Sequence, residues 1–433
     1  MAAPRKNVAL SLCVIARDEE AALPECLAGM AGVAGQIIVV DTGSRDATAE
    51  TARRLGAEVL HHPWREDFAS ARNAALEAAR GNWVLFLDAD ERIFPEDIPS
   101  IAPLLRRRSK DGFFLEIHSP LGTGPRSDIQ IIPRFRLFRR RPELRFEGRI
   151  HEQILPSLFR LKPVPAIDHA GVRILHLGYL PGARREERLR QNLALLRQEI
   201  LEKPEDGFPL FNLGCAYLES DRFAEALACF KQAAPLAPRG ISYRSLLARN
   251  TARCLAELGD GEKAMGTVRA GLEEFPDYPD LHLLEGELAL ASGRASEASA
   301  AFHRCLLSAS APVRHPSSAG ALGFKAWEGL GDARAAAGAA PQALEAYRKA
   351  FILQASRRHL VAEKAARMAA VSGSHVLRSF LNAGDGARDL FTAAVLARLG
   401  DHWPSADFLE VMEAVHGLPV PIALVKALQR RAR

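Results

Sequence analysis

Two acidic side chains, two positions apart, follow a strongly apolar stretch near residue 90. Residues 83–87 read Trp-Val-Leu-Phe-Leu and lead directly into Asp88, Ala89 and Asp90. Residues two apart on a strand point to the same side, so both carboxylates can serve one site. Carboxylate oxygens suit Mg²⁺ or Mn²⁺ held together with the phosphates of a substrate. A strand-end turn with solvated acids is the alternative, but a further acid, Asp41, at the end of another predicted strand favours a site.

The elements that must position these acids follow an alternating pattern. We predict strands at 10–16, 36–41, 57–62 and 83–91, and helices between them at 20–31, 47–55 and 69–79. Strands this apolar are typical of a parallel sheet covered on both faces. Ligands of such sheets bind at the carboxyl ends of the strands, where the acids lie. Further strands are expected at 113–119, 134–141 and 172–179.

Beyond Arg184 the sequence becomes helical and repetitive. The segment 207–240 matches the 34-residue helix–turn–helix repeat pattern at Leu213, Gly214, Tyr217, Ala226, Phe230, Ala233 and Pro238. We predict four such units, at about 207–240, 245–278, 279–312 and 324–357. A helical linker is expected at 185–206 and a helical cap at 358–433, because repeats bury apolar surface only by stacking on neighbours.

Several motifs, in order along the chain, resemble family 2 glycosyltransferases of the GT-A fold. They are VIARDEE (14–20), IIVVDTGSRDAT (37–48), WREDFASARN (64–73) and GNWVLFLDADE (81–91). FEGRIHEQI (146–154), HLGY (176–179) and the repeats are similar to a tetratricopeptide-bearing branch, which includes enzymes that S-glycosylate bacteriocin peptides. The resemblance implies an α/β, Rossmann-like, mostly parallel GT-A domain over 1–184, followed by an all-α tetratricopeptide solenoid.

The resemblance also implies a role for each matching residue. Arg17, Glu19 and Asp41 would line the nucleotide base and ribose, whereas Asp67, Arg72 and Asn73 would meet the donor sugar or diphosphate. For Asp67, ordinary helix capping is the alternative. Asp88 would contact ribose or metal-bound phosphate, and Asp90 would bind the metal. The donor would be a nucleotide-diphosphate sugar, in particular a UDP-sugar, and the acceptor a peptide, protein or glycan held in part by the repeats.

The adjacent residues His151 and Glu152 suit the chemistry of an inverting transfer. A base must take the acceptor proton while a metal and cations stabilise the departing diphosphate. Glu152 can be the base and His151 a ligand of the metal or the diphosphate, or the two roles can be exchanged. Neighbouring residues of an extended segment face opposite ways, which fits two separate tasks. A polar strand edge is the alternative, and for His176 we favour a core or supporting position.

Composition excludes several other classes of protein. The chain has 433 residues, and 57 Lys and Arg against 52 Asp and Glu give a net charge of +5, which does not by itself indicate a nucleic-acid binder. No apolar stretch approaches the ~20 residues of a membrane helix, and the polar start MAAPRKN shows no signal peptide, so we expect a cytoplasmic protein. The six cysteines are scattered, which argues against a disulfide framework and a structural zinc site.

Three alternatives remain open on sequence grounds. The arginines of residues 134–149 could form a nucleic-acid stripe, but no base-stacking module accompanies them, and one or two could instead hold a diphosphate. The protein could be a catalytically inactive tetratricopeptide scaffold, although such a scaffold has no chemical need for Asp41, Asp88, Asp90, His151 and Glu152. A nucleotidylyltransferase would need a glycine-rich loop after the first strand, where residues 17–20 are Arg-Asp-Glu-Glu.

Overall fold

The computed structural model describes residues 8–121, 128–177, 185–239, 243–308, 313–372, 376 and 390–399. The chain forms two compact units. Unit 1 comprises Met1–Thr123, Ile129–Leu247 and Pro312–Pro316, and unit 2 comprises Gly124–Asp128, Ala248–Ala311 and Ser317–Arg433. Unit 1 therefore includes both the sheet and the first helices of the repeat region.

Eight strands of unit 1 form a mixed sheet. They are β1 (Leu10–Ala16), β2 (Gln36–Asp41), β3 (Glu58–His61), β4 (Trp83–Asp88), β5 (Glu91–Ile93), β6 (Gly112–Pro120), β7 (Ile129–Arg139) and β8 (Ile167–His176). Their order across the sheet is β3-β2-β1-β4-β7-β6-β8-β5. The first four are mutually parallel, whereas β7 is antiparallel to β4 and to β6. The parallel 3-2-1-4 order is that of a Rossmann half, and the predicted α/β fold is confirmed.

Helices cover both faces of this sheet. They are α1 (Leu23–Ala28), α2 (Thr48–Arg54), α3 (Phe68–Ala78), α4 (Ile101–Leu105) and α5 (Leu155–Leu161), and the linker helix α6 (Arg185–Glu202) follows them in the chain. Alternate residues of each strand enter two cores, so that Leu85 packs in the core of α1 and Phe86 in the core of α3. This double burial explains the nearly continuous apolar sequence of the parallel strands.

The acidic segment after β4 departs from the prediction. The expected strand 83–91 is two strands, because the chain turns at Ala89 and Asp90 before β5 begins. The Asp88 N–H donates to Glu91 Oε2 at 2.8 Å, a side-chain bond that closes the turn. The idea that Asp88 and Asp90 point the same way along one strand was therefore wrong.

The repeat region consists of paired helices. They are α7 (Gly207–Leu218), α8 (Phe223–Leu236), α9 (Arg244–Glu257), α10 (Gly261–Glu274), α11 (Pro279–Ala291), α12 (Ala295–Leu307), α13 (Phe324–Ala336) and α14 (Ala340–Leu353), followed by α15 (Arg358–Ser372) and a helix at Leu390–Leu399. In three pairs a glycine faces an aromatic ring sixteen positions later. A Cβ would lie within 2.6 Å of that ring in Gly214–Phe230, Gly286–Phe302 and Gly331–Tyr347. These contacts confirm the helical-repeat fold and show why small residues recur in it.

In the described part of the chain, every helix is too short or too polar to cross a lipid bilayer. Residues 400–433 of the expected cap, and Gly178 and Tyr179 of the HLGY motif, lie outside the described residues.

Candidate active site

Asp41 ends strand β2 as a buried carboxylate with fixed partners. Its Oδ1 accepts hydrogen bonds from the Ser44 N–H at 2.9 Å, the Ser44 hydroxyl at 2.6 Å and the Gly43 N–H at 3.2 Å. Its Oδ2 lies 3.1 Å from Nδ1 of His61, at the end of β3. Burial opposes ionisation of Asp41, but these hydrogen bonds hold its pKa below the usual value. Gly43 has φ +106°, which allows the turn to fold back over the carboxylate.

The loop after β1 lies beside the loop after β2. Arg17 is exposed there, and Glu19 is half-buried and donates its N–H to Thr48 Oγ1 at 2.8 Å. The Asp18 carboxylate accepts the Arg45 N–H at 2.7 Å. These bonds join the two loops, so Arg17, Glu19 and Asp41 share one edge of the sheet.

Five charged side chains from four parts of the chain meet beside β4. Arg72 of α3 donates through Nε to Glu152 Oε1 and through Nη2 to Asp88 Oδ1 at 2.6 Å. Arg136 of β7 donates through Nη2 to Asp88 Oδ2 at 2.7 Å and to Glu91 Oε1 at 2.8 Å. We call Arg72, Asp88, Glu91, Arg136 and Glu152 the charge network. Of these, the sequence identified Arg72, Asp88 and Glu152 as site residues.

The charge network shifts the pKa values of three of its members, Asp88, Glu91 and Arg72, in different directions. Burial opposes ionisation of Asp88, but Arg136 and Arg72 hold its pKa far below the usual range. Burial raises the pKa of Glu91 to about 7, with a further contribution from Asp88. The pKa of Arg72 is raised, because the attraction of Glu152 and Asp88 outweighs its burial. Nη1 of Arg72 is also buried, and it has no hydrogen-bond partner among the described residues.

Asp90 lies in the turn after β4 and faces a different partner. Its Oδ2 lies 3.3 Å from His176 Nε2, and His176 Nδ1 lies 3.3 Å from Ser119 Oγ. Burial lowers the pKa of His176, but the hydrogen bond and charge of Asp90 raise it by more. His176 thus supports Asp90, as we expected of a residue behind the site. Within the ranges that the structure describes, no three His, Cys, Asp or Glu side chains are grouped to hold a metal.

The segment that carries His151 and Glu152 is a pinned loop, not the extended stretch considered from the sequence. The Asn73 side chain donates to the Phe146 carbonyl at 3.0 Å and accepts the Phe146 N–H at 2.8 Å. The backbones of Glu147 and Gln153 exchange two hydrogen bonds, of 2.9 and 2.8 Å. This 146–153 loop is therefore closed at its base and tied to α3.

Within the 146–153 loop, His151 and Glu152 still point to different surroundings. His151 is exposed and has φ +56°, a left-handed backbone conformation that is unusual outside glycine. The protein near its ring, followed by the positive charge of Arg134, lowers the pKa of His151. Glu152 instead points inward to Arg72.

The linker helix α6 and the first repeat also support the 146–153 loop. Glu199 of α6 accepts the Arg149 N–H at 3.3 Å, and the Arg149 guanidinium pairs with Glu202 at 3.0 Å. Ile150 packs in a small core with Leu196 of α6, Leu213 of α7 and Cys229 of α8. Helices α6, α7 and α8 thus hold the backbone next to His151 and Glu152.

Two other predicted site residues have structural partners. Asp67 accepts the Ser70 N–H at 2.9 Å and caps α3, the alternative weighed for it. Asn73 pins the 146–153 loop as described above. The sequence did not identify Arg136 or Glu91, although Glu91 directly follows the Asp88–Asp90 motif and Arg136 belongs to the arginine-rich stretch.

Comparisons with known proteins agree with this architecture. Residues 11–160 match the family model "Glycosyl transferase family 2", and residues 208–239 match "Tetratricopeptide repeat". A TPR repeat-containing protein of Synechococcus elongatus is 32% identical over 314 residues, 67% of this chain and 75% of that relative. The glycosyltransferase SunS of Bacillus subtilis is 26% identical over 223 residues, 51% of each protein. A solved glucosyl-3-phosphoglycerate synthase from Mycobacterium tuberculosis has a TM-score of 0.32 and 18% identity, covering 44% of this chain and 76% of that one.

Proposed function

The chain belongs to glycosyltransferase family 2, and on that premise we propose that it moves a sugar from a UDP-sugar to a peptide, protein or glycan, with inversion at the anomeric carbon. One observation carries the proposal. The charge network places a cationic donor, Arg72 Nη1, next to the acids that end β4, and this atom has no hydrogen-bond partner among the residues that the structure describes. A buried guanidinium N–H needs an acceptor, and a diphosphate oxygen is a strong one.

The donor nucleotide fits the edge formed by the first two loops. Asp41 is held ionised and fixed, so it can accept hydrogen bonds from a nucleoside without reorganising. Arg17 and Glu19 lie on the neighbouring loop and complete the nucleoside end. Strand β1 lies between β2 and β4, so the nucleoside and diphosphate ends are separated by one strand. This placement suits a nucleotide sugar bound across the carboxyl ends of the sheet.

We also propose a divalent cation beside the end of β4. Asp90 offers a carboxylate that is about a third exposed in the turn after β4, and Mg²⁺ or Mn²⁺ commonly takes one or two carboxylates together with substrate phosphates. We assign the metal to Asp90, with His151 as the second ligand. When bound, the ion supplies positive charge that stabilises the diphosphate as it leaves.

We assign the general base to Glu152. Arg72 fixes its Oε1, and Oε2 is the atom that takes the proton from the acceptor. The acceptor atom then bonds to the anomeric carbon, and the bond from that carbon to the diphosphate oxygen breaks with its electron pair on the diphosphate. The hydrogen bonds that join the two ends of the 146–153 loop hold Glu152 in position for this step, which favours catalysis by positioning.

The repeats are assigned to the acceptor. Stacked helix pairs present a long concave surface, which suits an extended or protein-sized acceptor better than a small one. The acceptor atom can be an oxygen, a nitrogen or a sulfur in this scheme, because the base and the leaving group are the same for each.

The test is a panel of nucleotide sugars incubated with the purified chain, with and without Mn²⁺, in which diphosphate release is measured. We expect slow Mn²⁺-dependent hydrolysis of at least one UDP-sugar, and its loss in Asp90→Asn. Asp168→Asn is the matched control, because Asp168 is an exposed acid on β8 that pairs with Lys110 at 3.1 Å. Release from no donor, or equal release by Asp90→Asn and the wild type, would contradict the proposal.

A further inference from the structure

An arginine-rich cavity opens at the edge of the sheet opposite the candidate active site. It has a volume of about 600 Å³ and lies where β1 and β4 begin, next to Ala9, Asn82, Trp83 and Leu105. The other lining residues are all arginines, namely Arg106, Arg108, Arg139, Arg140 and Arg141. The described residues that line the cavity therefore include five cations and no acid.

Within the part of the chain that the structure describes, few acids compensate this positive charge. Arg139 lies 4.5 Å over the ring of Trp83 and donates to the Lys110 carbonyl at 2.8 Å, and Arg140 donates to the Gly81 carbonyl at 3.1 Å. These partners are neutral, so they orient the guanidinium groups without cancelling their charge. Arg139 and Arg140 are therefore fixed by the protein, unlike surface arginines that move freely in solvent.

Asp111 compensates only part of this charge. Arg141 pairs with Asp111 at 2.8 Å, but Asp111 also accepts from Lys162 at 2.6 Å. Nε of Arg141 is buried and has no hydrogen-bond partner within the described ranges. The exposed Arg106 and Arg108 lie on the opposite side, just after α4. Cations from two parts of the chain thus converge on one concave space.

The cavity is separate from the catalytic edge. Strand β4 joins the two, from Trp83 at the cavity to Asp88 in the charge network. The five residue steps from Trp83 to Asp88 cover about 17 Å along the strand. The diphosphate of a donor bound beside Asp88 is too short to reach the cavity as well.

We propose that this cavity binds a phosphate-bearing anion, held by Arg106 and Arg108 on one side and by Arg139, Arg140 and Arg141 on the other. Guanidinium groups present paired N–H donors that match phosphate oxygens. A volume of this size is typical of small-molecule sites and accommodates two or three phosphate groups. The proposal does not depend on the glycosyl transfer reaction.

The test uses the full chain and tripolyphosphate as the probe, measured by titration calorimetry at fixed ionic strength. Arg106→Gln combined with Arg108→Gln removes two exposed cations of the cavity and leaves the charge network intact. Lys231→Gln combined with Arg239→Gln is the matched control, because both residues are exposed, lie on or after α8 and are not part of the cavity lining. We expect binding to weaken about tenfold or more in the cavity variant, since hydrogen bonds to charged groups are worth that much, and to stay within twofold in the control.

A second arm identifies the source of the phosphate. The same three proteins are sedimented with phosphatidylglycerol vesicles and with neutral phosphatidylcholine vesicles. Capture on phosphatidylglycerol that the cavity variant loses supports the proposal with a lipid headgroup as the ligand. Tripolyphosphate binding without vesicle capture supports it with a soluble phosphate compound. Equal tripolyphosphate affinity in the wild type and the cavity variant, or an equal loss in the control, overturns it.

Discussion

Replacing Arg72 by methionine removes the link between the two halves of the charge network. Methionine keeps much of the unbranched apolar stem and deletes the guanidinium, whose central carbon lies 5.4 Å from the ring centre of Phe86 and 5.6 Å from that of Phe146. Glu152 then loses the partner of Oε1, whereas Asp88 keeps Arg136 at 2.7 Å. The main consequence is one uncompensated carboxylate at Glu152.

The expected magnitude follows from burial. The side chains of Arg72 and Glu152 are 7% and 11% exposed, so this is a buried ion pair. Removing one partner of such a pair typically costs about 3–5 kcal/mol in the free energy of unfolding. For a unit of roughly this size, 1 kcal/mol shifts the melting temperature by about 2–4 °C, so we expect a drop of about 6–20 °C.

Scanning calorimetry of four proteins measures this effect. Arg92→Met is the matched control, because Arg92 pairs with Glu25 at the surface, where the two side chains are 39% and 64% exposed. Such a pair is worth about 0–1 kcal/mol. Combining Arg72→Met with Glu152→Gln should recover about 0.5–3 kcal/mol, because the second change removes the stranded charge. If Arg72→Met costs no more than Arg92→Met, or if the double variant shows no recovery, the network does not stabilise unit 1 as argued.

Three further predictions concern the base, the repeats and Asp41. Glu152→Gln should lower turnover about 10²–10⁴-fold with an unchanged donor Kd, whereas His151→Ala should weaken binding of the metal or diphosphate. If Glu152→Gln turns over like the wild type, Glu152 is not the general base, and His151, Glu66 and Asp67 are the next candidates. A chain ending at Pro204 should aggregate, because the loss of Leu213 and Cys229 uncovers Ile150. A chain ending at Arg239 should instead melt cooperatively and hydrolyse the donor. If the shorter chain is soluble and melts cooperatively, the first repeat is dispensable for folding. Folding lowers the pKa of Asp41, so its ionised form stabilises the fold above the unfolded pKa of 3.8, and that stability is lost as the pH falls through the lower folded pKa. The difference in the free energy of unfolding between the wild type and Asp41→Asn should therefore narrow below about pH 4. A difference that is independent of pH would contradict this.

Local patterns were sufficient to predict the sheet and the acids at its edge. Apolar stretches of strand length, each followed by polar residues, located β1, β2 and β4 and placed Asp41 and Asp88 at carboxyl ends. The glycine and aromatic positions of the repeats predicted the helix pairs, because only a glycine allows a ring such as that of Phe230 to approach the backbone of the partner helix. Both signals come from residues close together in the chain.

The rest depends on contacts between distant residues. Arg72 and Glu152 are 80 positions apart, and nothing local to either predicts their pairing. Arg136 was one of several arginines between residues 134 and 149, and only the β4–β7 pairing selects it. At the turn after Asp88, the Asp88 N–H donates to the Glu91 carboxylate, and this bond competes with strand propensity.

The most direct test of the central claim is the thermal shift that UDP with Mn²⁺ produces in the wild type and in Asp90→Ala. A ligand that binds only the folded state adds about 2.7 kcal/mol to the free energy of unfolding at a concentration 100 times its Kd, and the melting temperature rises accordingly. The account predicts a rise that requires both UDP and Mn²⁺ in the wild type, and no rise in Asp90→Ala, whose ligand-free melting temperature should barely change. No metal-dependent rise with any nucleoside diphosphate, or an equal rise in Asp90→Ala, would contradict it.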